Sequence, residues 1–323
     1  MKIVVAEWIW PNGLKLLAEH GCDLAYDPEL WNKTELMREA EEADALIVRN
    51  QTRVDERLLR RARRLKVIGR FGVGLDNIDL AAAGERGIAV VSAGNANANA
   101  VAEYVIAAMF HACRELHEAA ASVRRGEWDR KRFTRSELAG KTLGLIGFGE
   151  TGRRTAEKAK ALGMRVLCYD PYVPAEVPAA LGVAAASRED VLRRSDFVSL
   201  HVPLTPATRR LIGAGALALM KRTAVLINTS RGAVVDEQAL YEALAAERLA
   251  GAWLDVLEEE PPAPDHPLRR LPNCRITPHI AGLTEESQER TAEIVSRAVL
   301  DELAGIRSPY RVTNRTNGPT GPG

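Results

Sequence analysis

The sequence predicts an α/β fold of two lobes, each built on a parallel sheet, with a cleft between them. Short apolar runs alternate along the chain with amphipathic helical patterns, as they do in β-α-β units. The alternation forms two series joined by one long helical pattern, and 323 residues are enough for two domains.

The first series begins at the N-terminus, and the second begins after a polar stretch at residues 126–141. The strands predicted in the first series are "KIVVAE" (2–7), "ALIV" (45–48), "KVIGR" (66–70) and "IAVV" (88–91). Those predicted in the second series are "TLGLI" (142–146), "RVLCYD" (165–170), "DFVSLH" (196–201), "TAVLIN" (223–228), "GAWLDV" (251–256) and "CRIT" (274–277). Short apolar runs of this kind are typical of the buried strands of a parallel sheet.

Two helical patterns lie at the ends of the second series. One covers residues 98–125, is apolar on more than one face, and is ended by Gly126. A helix that is apolar all round is predicted to be buried. The other covers residues 284–303. The Gly- and Pro-rich tail at 314–323 is predicted to be disordered.

The composition restricts the partners. Lys plus Arg is 44 and Asp plus Glu is 43, so the net charge of +1 gives no support to nucleic acid or an anionic membrane as the main partner. Four cysteines are scattered without a C-x-x-C pair, which argues against a zinc site or a disulfide scaffold and fits a cytoplasmic protein. We expect no bound metal. The N-terminus is a poor signal peptide, and no apolar stretch is long enough to span a bilayer.

A glycine motif follows the first strand of the second series. Gly147, Gly149 and Gly152 stand in G-x-G-x-x-G spacing, with a strand before them and a helical pattern after them. The first two glycines permit a tight turn and close approach to a pyrophosphate, and the third lets helix and strand pack closely. The motif predicts a dinucleotide site in the second lobe. The two lobes are expected to be Rossmann-like or flavodoxin-like. A Gly-rich turn in an ordinary β-α unit is the alternative.

Asp170 ends the next predicted strand, roughly 20 residues past the glycines, where an acid that binds a ribose 2′-hydroxyl is expected. A carboxylate at this place repels a 2′-phosphate, so NAD is favoured over NADP. The alternative is a turn-forming or helix-capping aspartate before Pro171.

Three polar residues follow later in the same series. Arg231 comes shortly after a strand, and guanidinium can bind a carboxylate through two parallel hydrogen bonds. His279 follows the last strand, and an imidazole can accept the proton of an alcohol as hydride leaves. Glu260 could orient that imidazole through its other nitrogen. Together they indicate a hydride-transfer site, although each taken singly could be a solvated turn, surface or loop residue.

The chain resembles the D-isomer-specific 2-hydroxyacid dehydrogenases, especially their phosphoglycerate dehydrogenase-like branch. The motifs that carry the resemblance cover nearly the whole chain: "ALIVRNQTRV", "GRFGVGLDNID", "AVAEYVI", "GKTLGLIGFGETG", "LHVPLT", "LINTSRGAVVDE", "LDVLEEEPP" and "TPHIAG". The resemblance implies a substrate-binding domain from residues 1–97 and 285–313, and a NAD-binding Rossmann domain from residues 98–284. It also implies a homodimer formed through the NAD domain.

The resemblance assigns roles to the site residues. It implies that Arg231 binds the substrate carboxylate and carbonyl oxygen, and that His279, paired with Glu260, is the acid/base. Asp255 matches the position that contacts the nicotinamide carboxamide, and Asn97 matches the asparagine before "AVAE". The predicted cofactor-binding residues are Gly147, Gly149, Glu150, Thr151, Gly152, Asp170, His201, Pro203, Thr208, Thr229, Asp255, Gly282 and Asn97.

The substrate-side residues favour an acid with two anionic groups. Val73 and Gly74 match a loop whose amides hold the carboxylate. Arg49 and Arg70 follow predicted strands and match basic substrate-contact positions of the phosphoglycerate-specific branch. A second anion at C3, as in 3-phosphoglycerate or sulfolactate, would satisfy them. "RNQT" and "SAGNAN" depart from the family's R-S-x-T and N-A-P patterns, which leaves the substrate open.

The predicted function is therefore an NAD-dependent oxidoreductase that interconverts a 2-hydroxy acid and a 2-oxo acid. Two alternatives stay open: a hydroxypyruvate/glyoxylate reductase, and an NAD(H)-binding, corepressor-like redox sensor on the same fold. A formate dehydrogenase-like enzyme is disfavoured, because that relative has a different residue in place of Glu260. For Arg49 and Arg70, the alternative is structural pairing with acids such as Asp76 or Asp79.

Overall fold

The computed structural model describes residues 1–312, so the predicted disordered tail lies outside the described residues. The chain divides into two compact units. The first comprises Met1–Asn97 and the segment that begins at Leu283, and the second comprises Ala98–Gly282. Each unit has a parallel sheet packed against helices, which confirms the predicted α/β class. Within residues 1–312, no helix combines the length and the apolar character needed to cross a bilayer.

The elements are numbered in chain order. The strands are β1 (Lys2–Val5), β2 (Asp23–Tyr26), β3 (Ala45–Val48), β4 (Val67–Arg70), β5 (Ala89–Ser92), β6 (Thr142–Ile146), β7 (Arg165–Tyr169), β8 (Ala184–Ala185), β9 (Phe197–Leu200), β10 (Val225–Asn228), β11 (Gly251–Leu254) and β12 (Cys274–Ile276). The α-helices are α1 (Pro11–Glu19), α2 (Glu35–Glu42), α3 (Glu56–Arg61), α4 (Leu80–Glu85), α5 (Ala98–Arg114), α6 (Leu116–Arg124), α7 (Glu150–Ala161), α8 (Glu176–Ala180), α9 (Arg188–Arg194), α10 (Ala214–Leu219), α11 (Glu237–Ala245) and α12 (Glu285–Leu303). Short 3-10 helices span Leu30–Asn32, Gly232–Val234 and Pro267–Arg270.

The sheet of the first unit has the order β2-β1-β3-β4-β5, and its neighbouring strands are parallel. This is the flavodoxin-like order. The order reverses between β1 and β3, and open sheets of this kind bind ligands at the carboxyl ends of the strands at such a reversal. Near the end of the chain, α12 returns to pack on α1, β4 and β5.

The sheet of the second unit has the order β12-β11-β10-β9-β6-β7-β8, again with parallel neighbours. Its strands from β6 to β11 have the doubly wound order of a Rossmann domain. The reversal lies between β6 and β9. The loops that follow these two strands therefore meet at the edge where this fold binds a dinucleotide.

The helical pattern predicted at residues 98–125 is not one helix, and this prediction is wrong in that detail. It is divided into α5 and α6 at Glu115, which has a left-handed conformation with φ 43°. The Glu115 carboxylate accepts a hydrogen bond from Arg135 at 2.7 Å, which ties the break to the segment before β6. Phe110 is 43% exposed, so α5 is not buried all round.

The edge strands β2 and β8 have no counterpart among the predicted strands. The side chains of β2 are exposed or partly buried, and β8 consists of two exposed alanines. Neither segment carries the continuous apolar run that identifies a strand buried on both faces.

Candidate active site

The glycine motif forms the turn between β6 and α7. Gly147 has a positive φ of 97°, and its N–H donates to the Tyr169 carbonyl oxygen at 2.8 Å. A Cβ at Gly147 would lie 2.4 Å from the His201 carbonyl oxygen, and one at Gly152 would lie 2.6 Å from the Gly147 carbonyl oxygen. Both positions therefore require glycine. Because Gly147 has no side chain, the loops after β6 and β9 can lie in direct contact.

Gly149 differs, because a Cβ built there meets no atom of residues 1–312 within 4 Å. Its φ of −71° is accessible to any residue, so no protein contact calls for glycine. The open space lies at the N-terminus of α7, whose first turn includes Thr151. Backbone N–H groups and the helix dipole there suit a phosphate. Thr229, after β10, has a buried hydroxyl without a hydrogen-bond partner in residues 1–312. These features fit a bound dinucleotide.

Asp170 follows β7, and both of its carboxylate oxygens accept backbone hydrogen bonds. One accepts from Phe148 N, inside the glycine turn, at 2.8 Å, and the other accepts from Tyr172 N at 2.9 Å. The carboxylate thus lies beside the turn, and its contact with a ribose stays a prediction. Glu150, in the first turn of α7, forms an ion pair with Arg154 at 2.7 Å, which balances its charge near the phosphate site.

The segment after β9 reaches the same edge of the sheet. His201 N donates to the Ile146 carbonyl oxygen at 2.7 Å, and its Nε2 lies 3.0 Å from Ser199 Oγ. Burial lowers the pKa of His201 to about 4, so the ring is neutral at pH 7. The Thr208 hydroxyl donates to the Pro203 carbonyl oxygen at 2.6 Å and closes the loop.

His279 and Glu260 form the predicted pair. His279 Nδ1 lies 2.7 Å from Glu260 Oε2, and Glu260 Oε1 accepts from Leu257 N at 3.0 Å. Burial raises the pKa of Glu260, but the hydrogen bond and charge of His279, with the charge of Arg231, leave it below its ordinary value. The His279 side chain is 45% exposed, and its Nε2 makes no hydrogen bond within residues 1–312. Nε2 is therefore available to exchange a proton with a substrate.

Arg231 lies in the turn after β10. Asn228 holds this turn: its side-chain N–H donates to the Arg231 carbonyl oxygen at 2.9 Å, and its side-chain oxygen accepts from Ser230 N at 3.0 Å. The guanidinium donates to the Ser230 carbonyl oxygen at 2.6 Å, and its charge helps to lower the pKa of Glu260. The second unit thus brings the predicted Arg, Glu and His together.

Asp255 fixes the loop that carries His279. Its buried carboxylate follows β11 and accepts from Thr277 Oγ1 at 2.6 Å, Ile280 N at 2.8 Å and Ala281 N at 2.7 Å. Burial raises the pKa of Asp255, and these three hydrogen bonds oppose the rise. His279 has a φ of 57°, a strained conformation for a residue other than glycine, and this tether maintains it. Contact of Asp255 with nicotinamide stays a prediction.

Tyr104 extends this network and is not among the predicted site residues. Its hydroxyl, on α5, lies 2.6 Å from Thr277 Oγ1. Burial raises the pKa of Tyr104 to about 12, so the hydroxyl keeps its proton. Thr277 is also absent from the predicted set. The signal that could have identified Tyr104 and Thr277 is their place inside "AVAEYVI" and "TPHIAG", two of the motifs that carry the family resemblance. Gly282, a predicted cofactor residue, ends the second unit just after this loop.

In the first unit, Arg49 follows β3 and lies beside two aromatic rings. Its guanidinium carbon is 5.4 Å from the ring centroid of Trp8 and 5.4 Å from that of Phe71. The side chain donates to the Trp8 carbonyl oxygen at 3.2 Å and to Gln288 Oε1 at 3.4 Å. No carboxylate in residues 1–312 forms an ion pair with it. Burial lowers the pKa of Arg49, and the charge of Glu7 opposes this change.

Glu7 and Asn77 hold the Arg49 loop, and neither is among the predicted site residues. Glu7 is 3% exposed and accepts from the backbone N–H of Arg49 at 2.7 Å, Gln51 at 3.1 Å and Thr52 at 2.9 Å. Asn77 Nδ2 donates to the carbonyl oxygens of Arg49 at 2.8 Å and Thr52 at 2.6 Å. These contacts fix the loop at the reversal between β1 and β3.

The other predicted residues of the first unit have varied settings. Arg70, the last residue of β4, is buried and donates to the Phe71 carbonyl oxygen at 2.6 Å. Val73 is exposed and Gly74 is partly exposed, in the loop after β4. Asn97 is the last residue of the unit before α5. Their contacts with a ligand stay predictions.

Residues 106–281 match the family model of the D-isomer specific 2-hydroxyacid dehydrogenase, NAD binding domain, which is more than half of the chain. This chain belongs to the D-isomer-specific 2-hydroxyacid dehydrogenase family. The match confirms the family inferred from the motifs. It also confirms NAD as the cofactor, and the matched residues lie within the second unit.

Relatives in this family differ in how much of their length the chain spans. The D-3-phosphoglycerate dehydrogenase of Methanocaldococcus jannaschii is 45% identical over 306 residues, 94% of this chain but 58% of that protein. The chain therefore spans little more than half the length of this relative. The (S)-sulfolactate dehydrogenase of Chromohalobacter salexigens is 45% identical over 292 residues, 90% of this chain and 94% of that protein. Among solved structures, the TT0316 protein from Thermus thermophilus has a TM-score of 0.88 at 39% identity, covering 97% of this chain and 100% of that one.

Proposed function

We propose that this protein interconverts a 2-hydroxy acid and a 2-oxo acid with NAD as the hydride carrier. The observation that carries the proposal is the 2.7 Å contact between His279 Nδ1 and Glu260 Oε2, in the unit that holds the glycine turn. The contact orients the imidazole and leaves Nε2 for the substrate hydroxyl. Arg231, in the same unit, supplies the cation that a substrate carboxylate needs.

In the oxidation direction, His279 Nε2 accepts the hydroxyl proton of the substrate, and Glu260 stabilises the imidazolium that forms. The nicotinamide, when bound, supplies the acceptor for the hydride that leaves C2. Arg231 binds the substrate carboxylate and polarises the carbonyl that develops at C2. The proton is then held on His279, and reduction of the 2-oxo acid reverses these steps.

For the cofactor, we propose that the backbone amides at the N-terminus of α7 bind the pyrophosphate in the open space beside the Gly149 Cα. Asp170 accepts from the ribose hydroxyl and disfavours a 2′-phosphate, which supports NAD over NADP. Asp255 binds the nicotinamide carboxamide, since the carboxylate lies against the His279 loop. Each of these residues follows or begins an element at the carboxyl edge of the second sheet.

We further propose that the substrate carries a second anionic group at C3 and that Arg49 binds it. The Arg49 guanidinium forms no ion pair in residues 1–312, and burial lowers its pKa more than the charge of Glu7 raises it, so an anion bound there would compensate the cation. Arg70 and the amides of Val73 and Gly74 complete the proposed substrate-binding set. The relatives named for 3-phosphoglycerate and sulfolactate act on acids of this kind.

The substrate proposal predicts how kcat/KM depends on the second anion. Wild type is expected to prefer phosphohydroxypyruvate or sulfopyruvate to hydroxypyruvate. Arg49→Ala is expected to lower kcat/KM for the preferred acid about 10–100-fold, which corresponds to the loss of one charge-assisted hydrogen bond. The kcat/KM for hydroxypyruvate is expected to change little. Steady-state NADH oxidation at fixed ionic strength measures kcat/KM for each of the three 2-oxo acids.

The matched control is Arg38→Ala, which removes an exposed guanidinium of α2 in the same unit and should leave every value unchanged. Equal kcat/KM for the three acids in wild type would replace the substrate proposal with a hydroxypyruvate/glyoxylate reductase. NADH binding without oxidation by any of these acids would favour the redox sensor over the enzyme.

We propose that the protein is a homodimer formed through α5, α6 and the segment after them. Large apolar side chains in this part of the chain are exposed, namely Phe110, Leu116, Val123 and Trp128. Exposed apolar side chains that gather in one region are typical of an interface. Light scattering at micromolar concentration is expected to give twice the chain mass of 35.3 kDa. The mass of one chain would contradict the proposal.

We propose a cytoplasmic location. Cys22, Cys113, Cys168 and Cys274 are free thiols in the structure. Burial raises the pKa of Cys168 to about 11 and that of Cys274 to about 12, so these two thiols stay protonated and unreactive. Free thiols support a reducing compartment.

A further inference from the structure

The loop at residues 257–266 carries Glu260, the carboxylate that orients His279. The loop contains three prolines and forms no helix or strand. Its neighbours Glu258 and Glu259 are exposed. The regular backbone hydrogen bonds that fix a helix or strand are therefore missing from this loop, and other contacts must set the position of the Glu260 carboxylate.

Glu237 supplies two such contacts, one from each oxygen of its carboxylate. It is the first residue of α11. Its Oε1 accepts from Glu258 N at 2.7 Å, and its Oε2 lies 3.1 Å from His266 Nε2. The two contacts hold the loop on either side of Glu260. The side chains of Glu237 and His266 are 15% and 18% exposed, so the contact between them is largely shielded from water, whereas the contact with Glu258 N lies at the surface.

The contact with His266 has a defined polarity. An ionised carboxylate can only accept, so His266 Nε2 is the donor. The other ring nitrogen, Nδ1, is buried and has no hydrogen-bond partner within residues 1–312. The imidazole therefore makes its polar contact with Glu237, and this contact joins the end of the loop to the first residue of α11.

The beginning of the same loop packs directly on the Arg231 turn. A Cβ at Gly232 would lie 1.9 Å from the Leu257 carbonyl carbon and 2.3 Å from Glu258 N. Leu257 N in turn donates to Glu260 Oε1. A displacement at Glu258 would therefore reach both the turn that carries Arg231 and the carboxylate that binds His279.

We propose that Glu237 is a positioning residue for the Glu260–His279 pair, an inference that rests on the proposed function of that pair. Glu237 acts through Glu258 and His266. It holds the loop in the conformation that places Glu260 Oε2 against His279 Nδ1. Without it, the loop populates conformations that separate the two groups, and the imidazole loses its fixed orientation. A misplacement of this kind is costly because catalysis depends on a fixed geometry of the reacting groups.

Two substitutions and a control test the proposal. Glu237→Ala removes both tethers, whereas Glu237→Gln keeps an oxygen for Glu258 N and presents an amide donor to His266. Glu242→Ala removes an exposed carboxylate from the same helix and is the matched control. The measurements are hydrogen–deuterium exchange of the peptide that spans residues 257–266, the NADH Kd by fluorescence, and kcat/KM against pH with the acid that wild type turns over.

Glu237→Ala is expected to raise exchange across residues 257–266 and to lower kcat about 10–100-fold, with the NADH Kd unchanged. Glu237→Gln is expected to show smaller changes of both kinds. In the oxidation direction, the rising limb of kcat/KM is expected to move to lower pH, because a displaced carboxylate stabilises the charged imidazole less. Glu242→Ala should resemble wild type in every measurement.

Unchanged exchange in Glu237→Ala would overturn the proposal, and so would raised exchange with wild-type kcat and an unmoved pH limb. If Glu237→Ala does not fold, Glu237→Gln and His266→Phe decide by the same measurements, since the latter removes only the second tether. If wild type turns over no 2-hydroxy or 2-oxo acid, the proposed function fails and the positioning role fails with it. Exchange would still show, independently of turnover, whether Glu237 holds the loop.

Discussion

Replacing His279 with alanine is expected to lower kcat about 10²–10⁴-fold, the usual contribution of a general acid/base. The imidazole is held at Nδ1 by Glu260, and Nε2 makes no hydrogen bond in the part of the chain that the structure describes. The loop should keep its shape, because Asp255 fixes it through the amides of Ile280 and Ala281 and not through the imidazole. NADH affinity is therefore expected to stay near the wild-type value. Steady-state NADH oxidation and a fluorescence titration measure the two quantities.

Two further variants separate the chemistry from the structure. Glu260→Gln keeps the size of the side chain but removes the charge that stabilises the imidazolium, so a smaller fall in kcat is expected. His20→Ala removes an exposed imidazole from the first unit and serves as the control. If His279→Ala binds NADH and keeps the wild-type kcat, another group must move the proton.

The predictable part of this site consists of residues that come directly after strands. Gly147, Asp170, Arg231 and His279 each stand within three residues of a strand end. The carboxyl ends of parallel strands lie at one edge of a sheet, so the topology alone places residues at those ends along that edge. Local patterns that identify the strands are therefore enough to assign these residues to the same edge, and a single sequence contains those patterns.

The rest of the site depends on contacts between residues that are far apart in the chain. Glu7 accepts from the backbone N–H groups of the loop at residues 49–52, and Glu237 binds Glu258 and His266. Carboxylates at the end of a strand or the start of a helix are most often solvated. Nothing beside Glu7 or Glu237 in the sequence distinguishes them from such residues, because the groups they bind are mainly backbone N–H groups, which every loop offers.

Replacing Arg231 with alanine is expected to lower kcat/KM for the 2-oxo acid about 10²–10⁴-fold, since two charge-assisted hydrogen bonds of about 1.5–3 kcal/mol each are lost. The turn should keep its shape, because the hydrogen bonds from Asn228 reach the carbonyl oxygen of residue 231 and the Ser230 N–H and do not use the guanidinium. The loss should appear in both KM and kcat, because Arg231 binds the carboxylate in the ground state and the carbonyl oxygen in the transition state. Steady-state kinetics with saturating NADH measure both.

Arg231→Lys tests whether the planar pair of donors matters beyond the charge. Lysine keeps the charge but cannot form two parallel hydrogen bonds, so an intermediate kcat/KM is expected. Arg222→Ala removes an exposed guanidinium from the same unit, controls for the loss of one positive charge, and should change nothing. The charge of Arg231 also lowers the pKa of Glu260, so this pKa should rise in Arg231→Ala and stay lower in Arg231→Lys. Wild-type kcat/KM in Arg231→Ala would show that the substrate carboxylate is bound by another group and that Arg231 serves only its own turn.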